Sequence, residues 1–228
     1  MNQKERYAEV VSRFEREMPS PQTELHYADP FQLLVAVILS AQCTDKRINA
    51  VTPALFEAFP TAEAMAKATP EEIFGFIKSV SYPNNKTKAL LGMARKLTED
   101  FGGKVPDNLE DLLSLPGVGR KTANVMLAVI YNRPAMAVDT HVFRVAERIG
   151  LTTRSRNPLS TEKKLTSSLP EEVITRAHHW LILHGRYVCK ARNPECDDCF
   201  LADICRARQR QLARVRRALP DADDNNKK

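Results

Sequence analysis

Through most of this chain apolar residues return every three or four positions, and that rhythm admits few folds. Tyr7, Val10, Val11, Phe14 and Met18 share one face of a helix over residues 3–18. Pro19 and Pro21 stop it. Asp29-Pro30 opens a second helix with proline in its first turn, running through residues 31–39 to about Ser40. The same reading predicts helices near 45–58, 61–67, 70–77, 85–101, 108–114, 120–131, 140–149, 159–168 and 171–184. Residues 31–39 and 125–131 are apolar enough for buried strands. Each continues a helical pattern at one end, however, and no hairpin turn flanks either. The predicted class is all-α.

Hydrophobic residues make up 43% of the 228, enough to build a core and to exclude global disorder. The net charge of +6 favours a polyanionic partner, nucleic acid being the commonest soluble one. Residues 1–9 are polar, with no apolar stretch of a signal peptide behind them, and residues 31–39 are too short to span a bilayer. The chain therefore reads as cytoplasmic, with no membrane partner. Five cysteines in such a chain argue against a disulfide framework, and four of them crowd into residues 189–205. Cys43 reads as a small core residue. Residues 206–217 hold six arginines, and residues 221–228 read as polar and weakly structured. Residues 207–228 are therefore read as a basic, then polar tail, with a solvated extension and a DNA contact both open.

The segment from Leu112 to Ala123 is the most informative. Pro116-Gly117 forces a tight turn between two helical patterns, and Gly119 precedes the second. A glycine-rich turn feeding a helix N-terminus presents N–H groups at the positive end of the helix dipole, which suits a backbone phosphate. Such a grip reads no base. Read alone, the turn is more simply a plain helix connection. The second helix is apolar on nearly all sides, so it is buried, and Arg120 and Lys121 then stand at its solvent-facing mouth.

Cys189, Cys196, Cys199 and Cys205 follow the spacing C-x6-C-x2-C-x5-C. Four thiolates this close can surround one metal centre. Zinc and an iron–sulfur cluster both remain open on spacing alone. The loop between the first two ligands carries Lys190 and Arg192, which a metal centre would hold outward.

Taken together, these features resemble endonuclease III, a family of the helix-hairpin-helix glycosylase superfamily. Residues 115–124 are similar to its hairpin with a lysine, residues 137–144 to its catalytic aspartate segment, residues 178–187 to the helix entering its cluster, and residues 39–45 to a DNA-facing turn. The resemblance covers about residues 3–206. It implies two helical domains with DNA in a cleft between them. One is a helical barrel over 22–133 with the helix-hairpin-helix at about 108–131. The other joins residues 1–21 to 134–206 and holds a [4Fe–4S] cluster on a loop at 189–205. It also implies a monomeric base-excision-repair enzyme, a DNA glycosylase with abasic-site lyase activity on oxidised pyrimidines in double-stranded DNA.

By resemblance, Lys121 is the nucleophile and Asp139 its assistant, while Cys189, Cys196, Cys199 and Cys205 ligate the cluster. Gln42 fills the gap left by a flipped base, Tyr82 and Asn84 brace the other strand, and Gly117, Gly119 and Arg120 grip phosphate. Lys190 and Arg192 add DNA contacts, and Asp45 and His141 line the pocket. Read alone, Asp139 is an ordinary helix N-cap. Residues 81–86, Ser-Tyr-Pro-Asn-Asn-Lys, depart from the Gly-Leu/Phe-Tyr-Asn loop usual in the family, which leaves lesion preference open.

Overall fold

The computed structural model describes residues 1–218; the polar stretch at 221–228 lies outside the described residues. Twelve α-helices form the regular structure, with one 3-10 turn at Glu171–Val173 and no strand among the described residues. They are α1 (Gln3–Glu17), α2 (Pro30–Ser40), α3 (Asp45–Ala58), α4 (Ala62–Ala66), α5 (Pro70–Ile77) and α6 (Pro83–Phe101). There follow α7 (Leu109–Ser114), α8 (Arg120–Val129), α9 (Thr140–Ile149), α10 (Pro158–Ser168), α11 (Ile174–Tyr187) and α12 (Arg206–Ala218). No helix among the described residues is long and apolar enough to cross a membrane.

Short polar side chains start most of these helices. Asn2, Asp29, Thr44, Thr61, Thr69, Asn108, Asp139 and Asn157 each accept a hydrogen bond from a backbone N–H of the first turn. Such a cap is worth about 1 kcal/mol. The backbone N–H groups of Asn2 and Thr69 donate in return to the carboxylates of Glu5 and Glu72. The helices α6 and α8 have no side-chain cap: Tyr82 and Gly119 occupy those positions.

The chain divides into two compact units. One is Gln22–Ala137, built from α2 to α8. Its centre is α2, in which Phe31 and every residue from 33 to 39 are buried. A helix apolar all round must be covered on every side, and α3, α6 and α8 pack against it. Residues 134–137 count with this unit, tied to it where Asn124 Nδ2 donates to Met136 O at 3.1 Å.

The other unit joins Met1–Pro21 to the chain from Val138 onward. Its hub is α9, against which α10, α11 and α12 pack. The N-terminal helix is held by its aromatic and polar side chains. Phe14 stacks on Trp180 with ring centroids 5.5 Å apart and meets His184 and Phe200 edge-on. Trp180 Nε1 donates to Met18 O at 2.7 Å. Tyr7 OH donates to Leu151 O at 2.9 Å, and buried Arg6 donates to the carbonyls of Ile149 and Ile204.

Three stretches differ from the sequence reading. Helix α6 begins at Pro83, two residues early, because proline's fixed φ suits a first helical position. Helix α11 extends to Tyr187, and residues 171–173 are 3-10. The arginine-rich segment is helical, which the apolar rhythm does not predict: residues 206–218 form α12, which meets α9 while residues 209–217 are exposed. Charge repulsion disfavours that helix in isolation, and only tertiary contacts reveal what holds it.

Trp180, the chain's one tryptophan, joins the N-terminal segment to α11. Trp180→Ala should lower the unfolding free energy by about 3–5 kcal/mol. Trp180→Phe should cost less, because the stack survives and only the bond to Met18 disappears. Denaturant unfolding followed by circular dichroism would measure both.

Candidate functional site

In the unit Gln22–Ala137, α7 and α8 form a helical hairpin. Its turn is closed by Leu115 N–H to Leu112 O at 3.2 Å and Val118 N–H to Leu115 O at 3.1 Å. Leu115 and Val118 are buried beneath it. Gly117 has φ +79°, and a Cβ there would stand 2.7 Å from Ala89 Cβ on α6. Both conformation and space demand glycine. Gly119 is different: its backbone is extended and an added Cβ would meet nothing within 4 Å. Nothing inside the protein requires glycine at 119, so the bare position lies open to an approaching ligand. Arg120 and Lys121 are exposed in the first turn of α8 beside it.

Two loops of the same unit meet at a residue the sequence reading did not single out. Lys86 is only 6% exposed, and its Nζ donates to Leu39 O and Ala41 O, each at 2.8 Å, and to Ser81 Oγ at 3.3 Å. All three ammonium protons are thereby used. The two carbonyls lie at the C-terminal end of α2, the negative end of its dipole. Burial pulls the ammonium below the usual lysine range. Ser81 Oγ in turn donates to Gln42 O at 2.6 Å. This clamp fixes two loops in which Gln42 and Tyr82 both have φ +54°. A left-handed non-glycine residue costs about 1–2 kcal/mol, so both conformations depend on the clamp. Gln42, Tyr82 and Asn84 are exposed, Tyr82 by 60%, whereas Asp45 is half-buried in the first turn of α3.

In the other unit, Asp139 caps α9, with Oδ1 accepting from Val142 N–H at 2.8 Å. His141 lies 3.2 Å from Arg144 Nη2 and packs where α9 approaches Gly185 of α11; a Cβ on Gly185 would stand 2.8 Å from His141 Cβ. Arg144 donates to Gly185 O at 2.8 Å and Cys189 O at 3.2 Å. Arg148 donates to Lys190 O at 2.6 Å and Ala191 O at 3.0 Å. These two arginines of α9 hold the start of the cysteine loop. Arg192 is exposed, and Lys190 pairs with Glu195 at 2.5 Å.

Cys189, Cys196, Cys199 and Cys205 line one small cavity with His184 and Leu201. Among the described residues no three His, Cys, Asp or Glu side chains close on a single metal ion. The four cysteines border a common space. Burial pushes the Cys196 and Cys199 thiols up, and a cationic centre between them would favour the thiolates. Leu201 N–H donates to Cys199 Sγ at 3.4 Å, and His184 Nε2 lies 3.6 Å from the same sulfur. The donor set therefore fits an iron–sulfur cluster.

Residues 35–171 match the HhH-GPD superfamily of base excision DNA repair proteins, and residues 189–205 match the iron–sulfur binding domain of endonuclease III. Endonuclease III of Rickettsia felis is 46% identical over 202 residues, covering 87% of this chain and 94% of its own. The Escherichia coli K12 enzyme is 41% identical over 202 residues, covering 89% and 95%. The chain belongs to the endonuclease III family.

A solved structure of a trapped endonuclease III–DNA covalent intermediate superposes with a TM-score of 0.88 at 38% identity, over 93% of this chain and 100% of that one. A thermostable thymine-DNA glycosylase, 22% identical with a TM-score of 0.82, shares the fold. As a member of the endonuclease III family the chain is a DNA glycosylase and abasic-site lyase of base-excision repair. It binds DNA and carries a [4Fe–4S] cluster.

The two glycines of the hairpin should behave oppositely. Gly117→Ala should lower stability by about 1–3 kcal/mol, from the positive φ and the crowding by Ala89. Gly119→Ser should leave the melting temperature unchanged or slightly higher, since serine caps a helix, while weakening DNA affinity several-fold. Thermal melts and fluorescence anisotropy on duplex DNA would separate the two effects. Lys86→Met should cost about 1–3 kcal/mol, because it leaves buried carbonyls unsatisfied. Faster amide exchange at residues 41–43 and at Ser81 and Tyr82 would report the loosened loops.

Proposed function

We propose that this enzyme excises oxidised pyrimidines from double-stranded DNA with Lys121 as its nucleophile. One observation carries the reading: Lys121 stands exposed in the first turn of a helix with no side-chain cap, next to a glycine open to a ligand. A relative trapped covalently on DNA supports it. A base inside a duplex must first be turned out of the stack. Gln42 fills the gap, and Tyr82 and Asn84 brace the opposite strand. The N–H groups around Gly117 and Gly119, with Arg120, hold a phosphate beside the lesion. Lys190 and Arg192 add backbone contacts from the loop held by the four cysteine ligands, Cys189, Cys196, Cys199 and Cys205.

The unprotonated Lys121 Nζ attacks the sugar C1′. The bond from C1′ to the base breaks, and the base leaves with that electron pair and takes up a proton. The sugar ring opens to an imine between Nζ and C1′, a Schiff base. Loss of a proton from C2′ then expels the 3′ phosphate by β-elimination, and water releases the lysine. Asp139 assists the attack and balances the positive charge that builds on the sugar. Its bond to Val142 N–H holds the carboxylate still. The [4Fe–4S] cluster supplies a rigid frame for the loop. The reading includes a monomeric, cytoplasmic enzyme associated with the nucleoid in a bacterium.

Lys121→Ala should abolish borohydride trapping on thymine-glycol duplex while retaining DNA binding. Trapping that persists would remove Lys121 as the nucleophile. Asp139→Asn keeps an equally good helix cap, so a fall in excision of about 10²–10³-fold with unchanged melting would isolate its chemical role.

A further inference from the structure

The helix α12 carries the whole net charge of the chain. Arg206, Arg208, Arg210, Arg214, Arg216 and Arg217 are its six cations, and it contains no Asp or Glu. The chain's net charge is +6, so all other residues together sum to zero. A repair enzyme must find rare lesions among undamaged base pairs, and the attraction that does so is electrostatic. Here that attraction is concentrated in one helix.

The first turn of α12 anchors it. Arg206 lays its side chain over Gly150, where an added Cβ would stand 2.4 Å from Arg206 Cδ, and donates to Gln3 Oε1 at 3.2 Å. Arg208 pairs with Asp197, and Gln209 Nε2 donates to Asp203 O at 2.8 Å. The cationic half follows. Arg210, Arg214, Arg216 and Arg217 are exposed, and no carboxylate pairs with them among the described residues. Arg210, Arg214 and Arg217 recur at i, i+4 and i+7 and so share one face. Like charges at such spacing destabilise a helix by a few tenths of a kcal/mol per pair, a cost that a bound polyanion removes. From 210 to 217 the helix rises about 10 Å, a length over which duplex DNA carries about six phosphates. The exposed apolar residues of this half are Leu212 and Val215, too few to seat it in a membrane surface.

We propose that the Arg210–Arg214–Arg217 face of α12, with Arg216 beside it, is a second DNA-binding surface that holds the phosphate backbone of undamaged duplex. It gives affinity without sequence or lesion preference, because guanidinium-to-phosphate bonds read no base. It is distinct from the Lys121 hairpin, which lies in the other unit.

The test uses the full chain with its cluster, comparing the parent with Arg210→Gln/Arg214→Gln/Arg216→Gln/Arg217→Gln and with the same four changed to Lys. Affinity for a lesion-free duplex is measured by anisotropy across a salt series. Each phosphate that the protein no longer neutralises should flatten the slope of log K against log salt by about 0.9. The Gln variant should therefore flatten by about 2–4 and bind at least tenfold more weakly at low salt, while the Lys variant keeps slope and affinity. Circular dichroism and the iron–sulfur absorption check folding. If the fourfold variant fails to fold, the pair Arg214→Gln/Arg217→Gln replaces it, with a flattening of about 1–2. Unchanged slope and affinity in a folded Gln variant would overturn the proposal. So would a Gln variant that keeps its duplex affinity and loses only its binding to anionic phosphatidylserine vesicles. Borohydride trapping by the parent reports on Lys121 separately, so the two readings stand or fall independently.

Discussion

Every helix ends in carbonyls with no partner inside the helix, and a chain with twelve α-helices among its described residues meets that requirement a dozen times. Here buried or half-buried cations satisfy the ends that set the shape of the site. Lys86 takes Leu39 O and Ala41 O at the end of α2, and Arg6 takes Ile149 O at the end of α9. Arg144 takes Gly185 O in the last turn of α11 and Cys189 O beyond it, and Arg148 takes the next two carbonyls of the cysteine loop. Each bond joins a cation to the negative end of a helix or to the loop that leaves it. Charge-assisted bonds are worth about 1.5–3 kcal/mol each where they are buried, and at Leu39 and Ile149 removing the cation would leave a buried carbonyl without that partner. The loops carrying Gln42, Tyr82 and the four cysteines are therefore as well determined as the helices between them.

The opposite ends of the helices follow another rule. Most start with a short polar side chain that occupies a first-turn N–H. The exceptions in the Gln22–Ala137 unit, α6 and α8, begin at the Tyr82 loop and at the hairpin. At these two starts no side-chain cap holds the first turn. In the other unit the bond that caps α9 also fixes the orientation of the Asp139 carboxylate.

Much of this was legible along the chain. Apolar periodicity located the helices because each buries one stripe, and α2 more than one. The Pro-Gly-Val-Gly turn and the four-cysteine spacing were visible because their chemistry depends on neighbours in sequence. Lys86 was not visible: its partners lie 5, 45 and 47 residues away, and a lysine in a helix ordinarily points to water. The same holds for Asn124, a polar residue buried in α8 to tie down Met136. The α12 segment read as a tail because a run of arginines without acidic residues disfavours an isolated helix, and its anchors at Gln3, Gly150 and Asp197 are remote in sequence.

The amino-acid sequence by itself determined that the chain is helical, that a glycine-bearing turn with a lysine after it joins two helices, and that four cysteines gather within residues 189–205. Those are short-range properties, set by periodicity, turn stereochemistry and ligand spacing. The tertiary structure alone decided which glycine of the hairpin is required by packing and which is left open. It also decided how two strained loops are held together by one buried ammonium, and where the arginine helix is anchored. Those outcomes depend on which groups end up buried beside one another, because a buried cation or carbonyl must find its partner wherever the fold brings one within reach.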